Sequence, residues 1–145
     1  MPTPPPVISP MRPILAYLLA PLAGLALFTA IWALPVVSVA GADAAFLGQL
    51  GGLAMGVVVP AFVLVLALSL GVMYVVRARF GGAWWAAMAG GLATYLAAFA
   101  LLALRLGFAT VFANPYWLGG LIAGGLVHGL VFRGVVGPGR RVKTA

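Results

Sequence analysis

The chain has 145 residues, of which 65% are hydrophobic and only 6% are charged. A soluble domain carries about 25% charged residues, so this composition cannot cover a water-facing surface and predicts a protein solvated mainly by bilayer lipid. Eight basic residues stand against one acidic residue, and cysteine is absent, which excludes disulfide and thiolate chemistry. The basic residues flank apolar stretches instead of forming a stripe among polar residues, so we expect no nucleic-acid partner.

The N-terminal segment 1–12 is rich in proline and is predicted to be a disordered cytoplasmic tail. The first predicted transmembrane helix spans 13–34 and ends at Pro35. A cleaved signal peptide is the alternative, because 38–40 resembles a small-residue cleavage site. The apolar run is longer than the roughly 7–15 residues of a signal peptide, which favours an uncleaved helix.

The second predicted span, 46–76, is longer than one crossing requires. Asp43 precedes it and is predicted to cap the helix by accepting its free N–H groups. At 1.5 Å per residue the span reaches about 45 Å, against a hydrocarbon core of about 30 Å. We therefore expect it to tilt, to kink at Pro60, or to begin with an interfacial turn through 48–52.

The third predicted span, 84–105, corresponds to a single crossing of about 32 Å. Arg105 then lies at the far interface, where a snorkelling anchor is favoured over an anion site. An exposed salt bridge between Arg105 and Asp43 would contribute little. The fourth span, 115–133, begins at Asn114-Pro115, an N-cap followed by proline. A basic cytoplasmic tail, 137–145, follows.

These elements predict an all-α integral membrane protein, a four-transmembrane-helix bundle that forms one domain over 13–136. Arg105 is the one basic residue on its side of the bundle. The other seven fall on the opposite side: Arg12, Arg77, Arg79, Arg133, Arg140, Arg141 and Lys143. The positive-inside rule then places both termini in the cytoplasm and the protein in the cytoplasmic (inner) membrane.

Small residues recur at four-residue spacing in every span. They predict close helix packing, because lipid supplies no hydrophobic drive between helices. The main candidates for helix packing are Gly52, Gly56, Gly90, Gly120 and Gly124. Either all of these stripes pack within one bundle, or one of them is reserved for another subunit.

Residue types that perform chemistry are scarce. The chain has one acidic residue, Asp43, and one histidine, His128, and the predicted topology separates them by most of the bilayer. Paired carboxylates are therefore impossible within one chain, and a three-ligand metal site is nearly so. We expect no enzyme, no metal site and no bound cofactor.

His128 is the residue that stands out. It lies five positions before Arg133, so about 7 Å inside the membrane boundary, and it shares a helix face with Gly120 and Gly124. The favoured interpretation is a neutral histidine that hydrogen-bonds to a neighbouring helix. The alternatives are a proton relay or solute site, and a pigment or haem ligand with room left by Gly124. Antenna proteins place a small residue four positions before their histidine, and this short motif alone resembles theirs.

The favoured function is a non-enzymatic accessory, assembly or partner-binding subunit of a larger membrane complex. Its expected partners are membrane lipid and other membrane subunits or a second copy. The alternative is a small oligomeric channel or transporter for a neutral solute or an anion. Small four-helix multidrug transporters have this size and helix count, but their essential membrane carboxylate is missing here. The second alternative is a cofactor-binding subunit that uses His128.

A phosphatase reporter that is active only outside the cytoplasm checks this topology. We expect activity for fusions after Asp43 and Thr110 and none after Arg79 or Ala145, because positively charged segments are retained inside. An active fusion at Ala145 would contradict the four-span arrangement. N-terminal sequencing that begins at Gly41 would show signal cleavage and leave three spans.

Overall fold

A computed structural model describes residues 11–40, 44–108 and 115–137, and the regular secondary structure of these residues is entirely helical. Four long helices follow in chain order: α1 (Met11–Ala40), α2 (Ala44–Phe80), α3 (Trp84–Leu106) and α4 (Pro115–Val136). Each contains a segment long and apolar enough to cross a membrane. The predicted all-α class with four candidate membrane spans is confirmed.

The first helix extends beyond its predicted end. α1 continues through Pro35 to Ala40, so this proline does not terminate it. A proline removes only one backbone hydrogen bond, and membrane helices accommodate it because neighbouring groups satisfy the freed carbonyl. Segments 1–10 and 138–145 lie outside the described residues, and so do the predicted caps Asp43 and Asn114.

The second helix is longer than its predicted span. α2 has 37 residues and includes Pro60, which gives it a length of about 55 Å. It is helical through 48–52, so the interfacial turn considered for that segment is not formed. A helix of this length must tilt within a core of about 30 Å or extend beyond it.

The turn between α2 and α3 is made by two glycines. Gly81 and Gly82 have φ angles of 60° and 83°, a conformation that residues with a Cβ disfavour. The Gly81 N–H donates to the Arg77 carbonyl, with a nitrogen–oxygen distance of 3.1 Å, and so closes the last turn of α2. This short connection lays α3 antiparallel against α2.

The four helices form a ring in chain order. α1 packs on α2, α2 on α3, α3 on α4, and α4 closes the ring against α1. Because neighbouring helices alternate in direction, Arg77 and Arg133 lie at one end of the bundle, which we call the basic end. Side chains join the helices that lie diagonally across the ring: the Tyr95 hydroxyl of α3 donates to the Pro21 carbonyl of α1 at 3.2 Å.

The core has two apolar halves along the bundle axis. The half away from the basic end is aromatic. The ring centroids of Phe28 and Phe99 lie 4.7 Å apart, and the Trp117 ring centroid lies 5.7 Å from that of Phe28 and 6.2 Å from that of Phe99. The half at the basic end is built mainly from small residues. Its buried members are Ala16, Ala20, Met73, Ala87 and Phe132.

Glycines on α4 allow its backbone to approach two neighbouring helices. Gly124 faces α1, and an ideal Cβ placed on it would lie 2.7 Å from the Gly24 carbonyl oxygen. Gly125 faces α3, where a Cβ would lie 2.8 Å from the Leu92 Cα. Since Cβ atoms do not approach other atoms this closely, these two contacts exist only because both residues are glycine.

We expect Gly124→Leu to destabilise the bundle by at least the 1–3 kcal/mol that overpacking costs in well-packed cores. Its side chain would meet backbone, which cannot move aside without separating α1 from α4. Unfolding in detergent, followed by circular dichroism, measures the loss. Gly119→Leu is the matched control, because a Cβ on Gly119 meets no atom within 4 Å.

The same measurement on Leu130→Ala gives a second comparison. Leu130 is 39% exposed on the outer face of α4, so truncating it should change stability much less than Gly124→Leu. Equal stability of all three variants would show that the Gly124 contact does not hold the bundle together.

Candidate functional site

His128 lies at the centre of the bundle and is fully buried. Its Nε2 is 2.9 Å from the Ser69 hydroxyl oxygen of α2. Its ring meets the Tyr95 ring of α3 nearly at a right angle, with centroids 5.7 Å apart. Side chains from three helices therefore meet at the imidazole. The Ser69–His128 hydrogen bond joins α2 to α4, which lies diagonally across the ring.

We call Ser69, Thr94, Tyr95 and His128 the central polar cluster. All four side chains are fully buried, between the two apolar halves of the core. The Thr94 hydroxyl donates to the carbonyl oxygen of Gly90, one turn earlier in the same helix, at 2.8 Å. With the Tyr95 bond to α1, every hydroxyl of the cluster has a partner, as buried polar groups require.

The Nδ1 of His128 is buried and has no hydrogen-bond partner among the described residues. In either neutral tautomer Nε2 can pair with the Ser69 hydroxyl, as donor or as acceptor. One hydrogen bond and one ring contact thus hold the imidazole. The described part of the chain contains no group of three or more His, Cys, Asp or Glu side chains that could hold a metal ion.

The space one turn before His128 is occupied. A Cβ on Gly124 would lie 2.9 Å from the Tyr95 ring as well as close to the Gly24 backbone. A flat macrocycle bound to His128 would need this same space. In this structure Gly124 serves the close contact between α1 and α4.

The other glycines of the predicted packing stripes fall into two groups. Gly90 and Gly120 are buried: Gly90 packs against Val76 and Met73 of α2, and Gly120 against Phe28 of α1. Gly52 and Gly56 are exposed, and a Cβ on either would meet no atom within 4 Å. The α2 stripe is therefore left open by the helices that this structure describes.

The structure describes one of the two predicted interfacial charges. Arg105 is exposed in the last turn of α3. Asp43 lies outside the described residues, so a salt bridge between them stays a prediction.

Sequence reasoning missed the second packing face of α4. Gly125 and Gly129 are also four positions apart and pack against α3, where Gly91 faces them. Gly125 is offset by one residue from Gly124, so the sequence contains two adjacent glycine stripes on one helix. Two such stripes predict close packing against two neighbouring helices. The role of Ser69 as the partner of His128 carries no such signal, because the pair is 59 residues apart.

A groove opens on the outer surface between α1 and α2. Its volume is about 500 Å³, and its walls include Leu22, Ala26 and Ala33 from α1 and Val59 and Phe62 from α2. Thr29 also lines it, but the Thr29 hydroxyl donates to the Leu25 carbonyl at 2.8 Å. The groove is thus an apolar surface next to the open glycines of α2.

No protein family, curated protein or solved structure matches this chain.

A double-mutant cycle measures what the Ser69–His128 bond contributes. We expect His128→Leu to lower the free energy of unfolding by about 1–2 kcal/mol, as for intramembrane hydrogen bonds generally, while His128→Gln stays near wild type because its amide can still bond. Ser69→Ala should add little to His128→Leu, since the bond is already lost. Fully additive losses would mean that the two side chains do not interact.

Absorbance spectra of the same purified variants test the cofactor alternative. We expect colourless wild-type protein. A Soret or chlorin band that disappears in both His128→Gln and His128→Leu would show instead that the imidazole ligates a pigment or haem.

Proposed function

We propose that the chain is an integral protein of the cytoplasmic membrane with both termini inside. Its four apolar helices support insertion, because each can cross a bilayer by length and composition. The last turns of α2 and α4 both carry arginine at the basic end. Exposed aromatic side chains at the same end are typical of a membrane interface: Tyr74, Phe80, Trp84 and Trp85.

We propose that it acts as a non-enzymatic, partner-binding subunit and that α2 carries the binding face. The observation that carries this proposal is the open stripe Gly48, Gly52 and Gly56, which we call the α2 glycine face. All three glycines are exposed, and no described atom lies within 4 Å of where a Cβ would be. The stripes on α3 and α4 are, by contrast, buried against neighbouring helices.

The cost of glycine in a helix supports a role for this face. Each glycine in a helix interior is about 1 kcal/mol less favourable than alanine. Glycines buried between helices repay that cost by close approach, as Gly124 does against Gly24. A run of exposed glycines at four-residue spacing can gain the same compensation from close approach of a helix from another molecule.

α2 is also the least covered of the four helices. Only 17% of its most apolar window is buried, compared with 50% for α3. Gly52, Gly56 and Val59 fall on one face by their spacing of four and three, and Val59 lines the groove against α1. The α2 glycine face therefore continues into an apolar groove where a partner helix can pack.

The alternatives have less support from the geometry. The central polar cluster lies between two apolar core halves, so a channel or transporter for a neutral solute or anion would have to form between several copies. A cofactor role for His128 would require Tyr95 and the Gly24 backbone to move away from Gly124.

Co-purification from native membranes in mild detergent tests the α2 glycine face. We expect Gly52→Leu and Gly56→Leu to reduce recovery of the partner at least tenfold, because leucine prevents close backbone approach. Their thermal stability should equal or exceed the wild-type value, since both sites are open among the described residues and leucine favours the helix more than glycine does. Native mass spectrometry of the purified complex shows whether the partner is another protein or a second copy.

Gly71→Leu is the matched control. Gly71 is an exposed glycine of the same helix with no atom within 4 Å of a Cβ, about 22 Å along the axis from Gly56. We expect this variant to keep the partner. A wild-type chain that purifies alone as a monomer, or Gly52→Leu and Gly56→Leu variants that keep the partner, would contradict the proposal.

A further inference from the structure

Two arginines line one shallow cleft at the basic end of the bundle, where α2, α3 and α4 meet. Arg77 comes from the last turn of α2 and Arg133 from the last turn of α4, and both are partly buried. The enclosed volume is about 10 Å³, which is room for one water molecule at most. An anion larger than water would therefore bind at the rim, where the cleft opens.

Arg133 is held in place by two contacts within the bundle. Its Nε–H donates to the Gly82 carbonyl oxygen in the turn between α2 and α3. Its guanidinium carbon lies 5.0 Å from the centre of the Trp84 ring, a cation–π contact. The N–H groups on the two Nη atoms take no part in the Gly82 bond and remain donors in a fixed fork. Little side-chain entropy is then lost when the guanidinium binds a ligand.

The positive charge of the cleft has no counterion among the described residues. The one acidic residue of the chain, Asp43, precedes the first residue of α2, whereas Arg77 lies in its last turn. Ala44, the first residue of α2, is separated from Arg77 by about 50 Å along the helix axis, far beyond the screening length of about 10 Å. Two partly buried guanidinium groups with no carboxylate beside them in the described part of the chain can accept an anion.

We propose that Arg77 and Arg133 bind a phosphate group at the rim of this cleft, and that an anionic phospholipid headgroup supplies it. Planar guanidinium groups match phosphate oxygens in two-point hydrogen bonds. Exposed Tyr74 and Trp85 mark this end of the bundle as headgroup depth. Basic pockets between membrane helices on the cytoplasmic side are typical lipid-headgroup sites. The proposal rests on membrane insertion, but not on the α2 glycine face.

Native mass spectrometry of the full-length chain in neutral detergent tests the site. The protein is titrated with phosphatidylglycerol, with phosphatidylcholine and with inorganic phosphate. We expect phosphatidylglycerol to be retained in preference to phosphatidylcholine. Arg77→Gln should weaken that retention about tenfold, as for the loss of one hydrogen bond between charged groups, whereas Arg79→Gln, which removes charge but no direct contact, should weaken it much less.

Arg79 is the matched control because it has the same charge, lies two positions away and is exposed outside the cleft. Equal weakening by Arg77→Gln and Arg79→Gln would overturn the proposal, since only the total charge of this end would then matter. Arg133→Gln also removes the Gly82 and Trp84 contacts, so it is compared only where its melting temperature equals that of wild type.

The inorganic phosphate arm separates the two sources of the anion. One outcome is that wild-type protein retains inorganic phosphate, that Arg77→Gln abolishes this retention, and that the two lipids are retained equally. That outcome would overturn the lipid assignment and show that the cleft binds free phosphate. No preference between lipids and no effect of phosphate would overturn the site itself. Gly52→Leu should retain phosphatidylglycerol like wild type, which keeps this result distinct from the test of the partner face.

Discussion

Close backbone approach at α4 is the contact on which the rest of the structure depends. In a bilayer the lipid is as apolar as the helix surfaces, so helices associate through dispersion forces that require short distances. α4 meets this requirement on two sides, with Gly124 against Gly24 of α1 and Gly125 against α3. These two seams draw α1, α3 and α4 together, and α2 joins them with fewer buried residues.

The central polar cluster is a consequence of that close packing. The Tyr95 hydroxyl reaches the Pro21 carbonyl, and His128 reaches Ser69, because the diagonally placed helices are near enough for single side chains to bridge. Hydrogen bonds fix direction and register, which dispersion alone does not. The glycines therefore bring the helices together, and the polar side chains select one arrangement.

The two proposed binding surfaces use different physics and lie on different parts of the molecule. The α2 glycine face is uncharged and lacks side chains, so a partner helix can approach it closely within the hydrocarbon core. The cleft at Arg77 and Arg133 is positively charged but shallow, which suits a headgroup at the membrane interface. A subunit that contacts a partner through one surface and lipid through the other needs no catalytic residue.

The sequence by itself determined the helical class, four candidate spans and the scarcity of catalytic groups, because length and hydropathy are local properties. It predicted small-residue stripes without showing which neighbour each one faces. Only the tertiary structure decided that Gly124 is buried while Gly52 is open, that Ser69 pairs with His128, and that α1 continues through Pro35. The reason is physical: identical glycines differ only in what another helix places beside them, and a hydrogen bond across 59 residues depends on how the helices are rotated and packed.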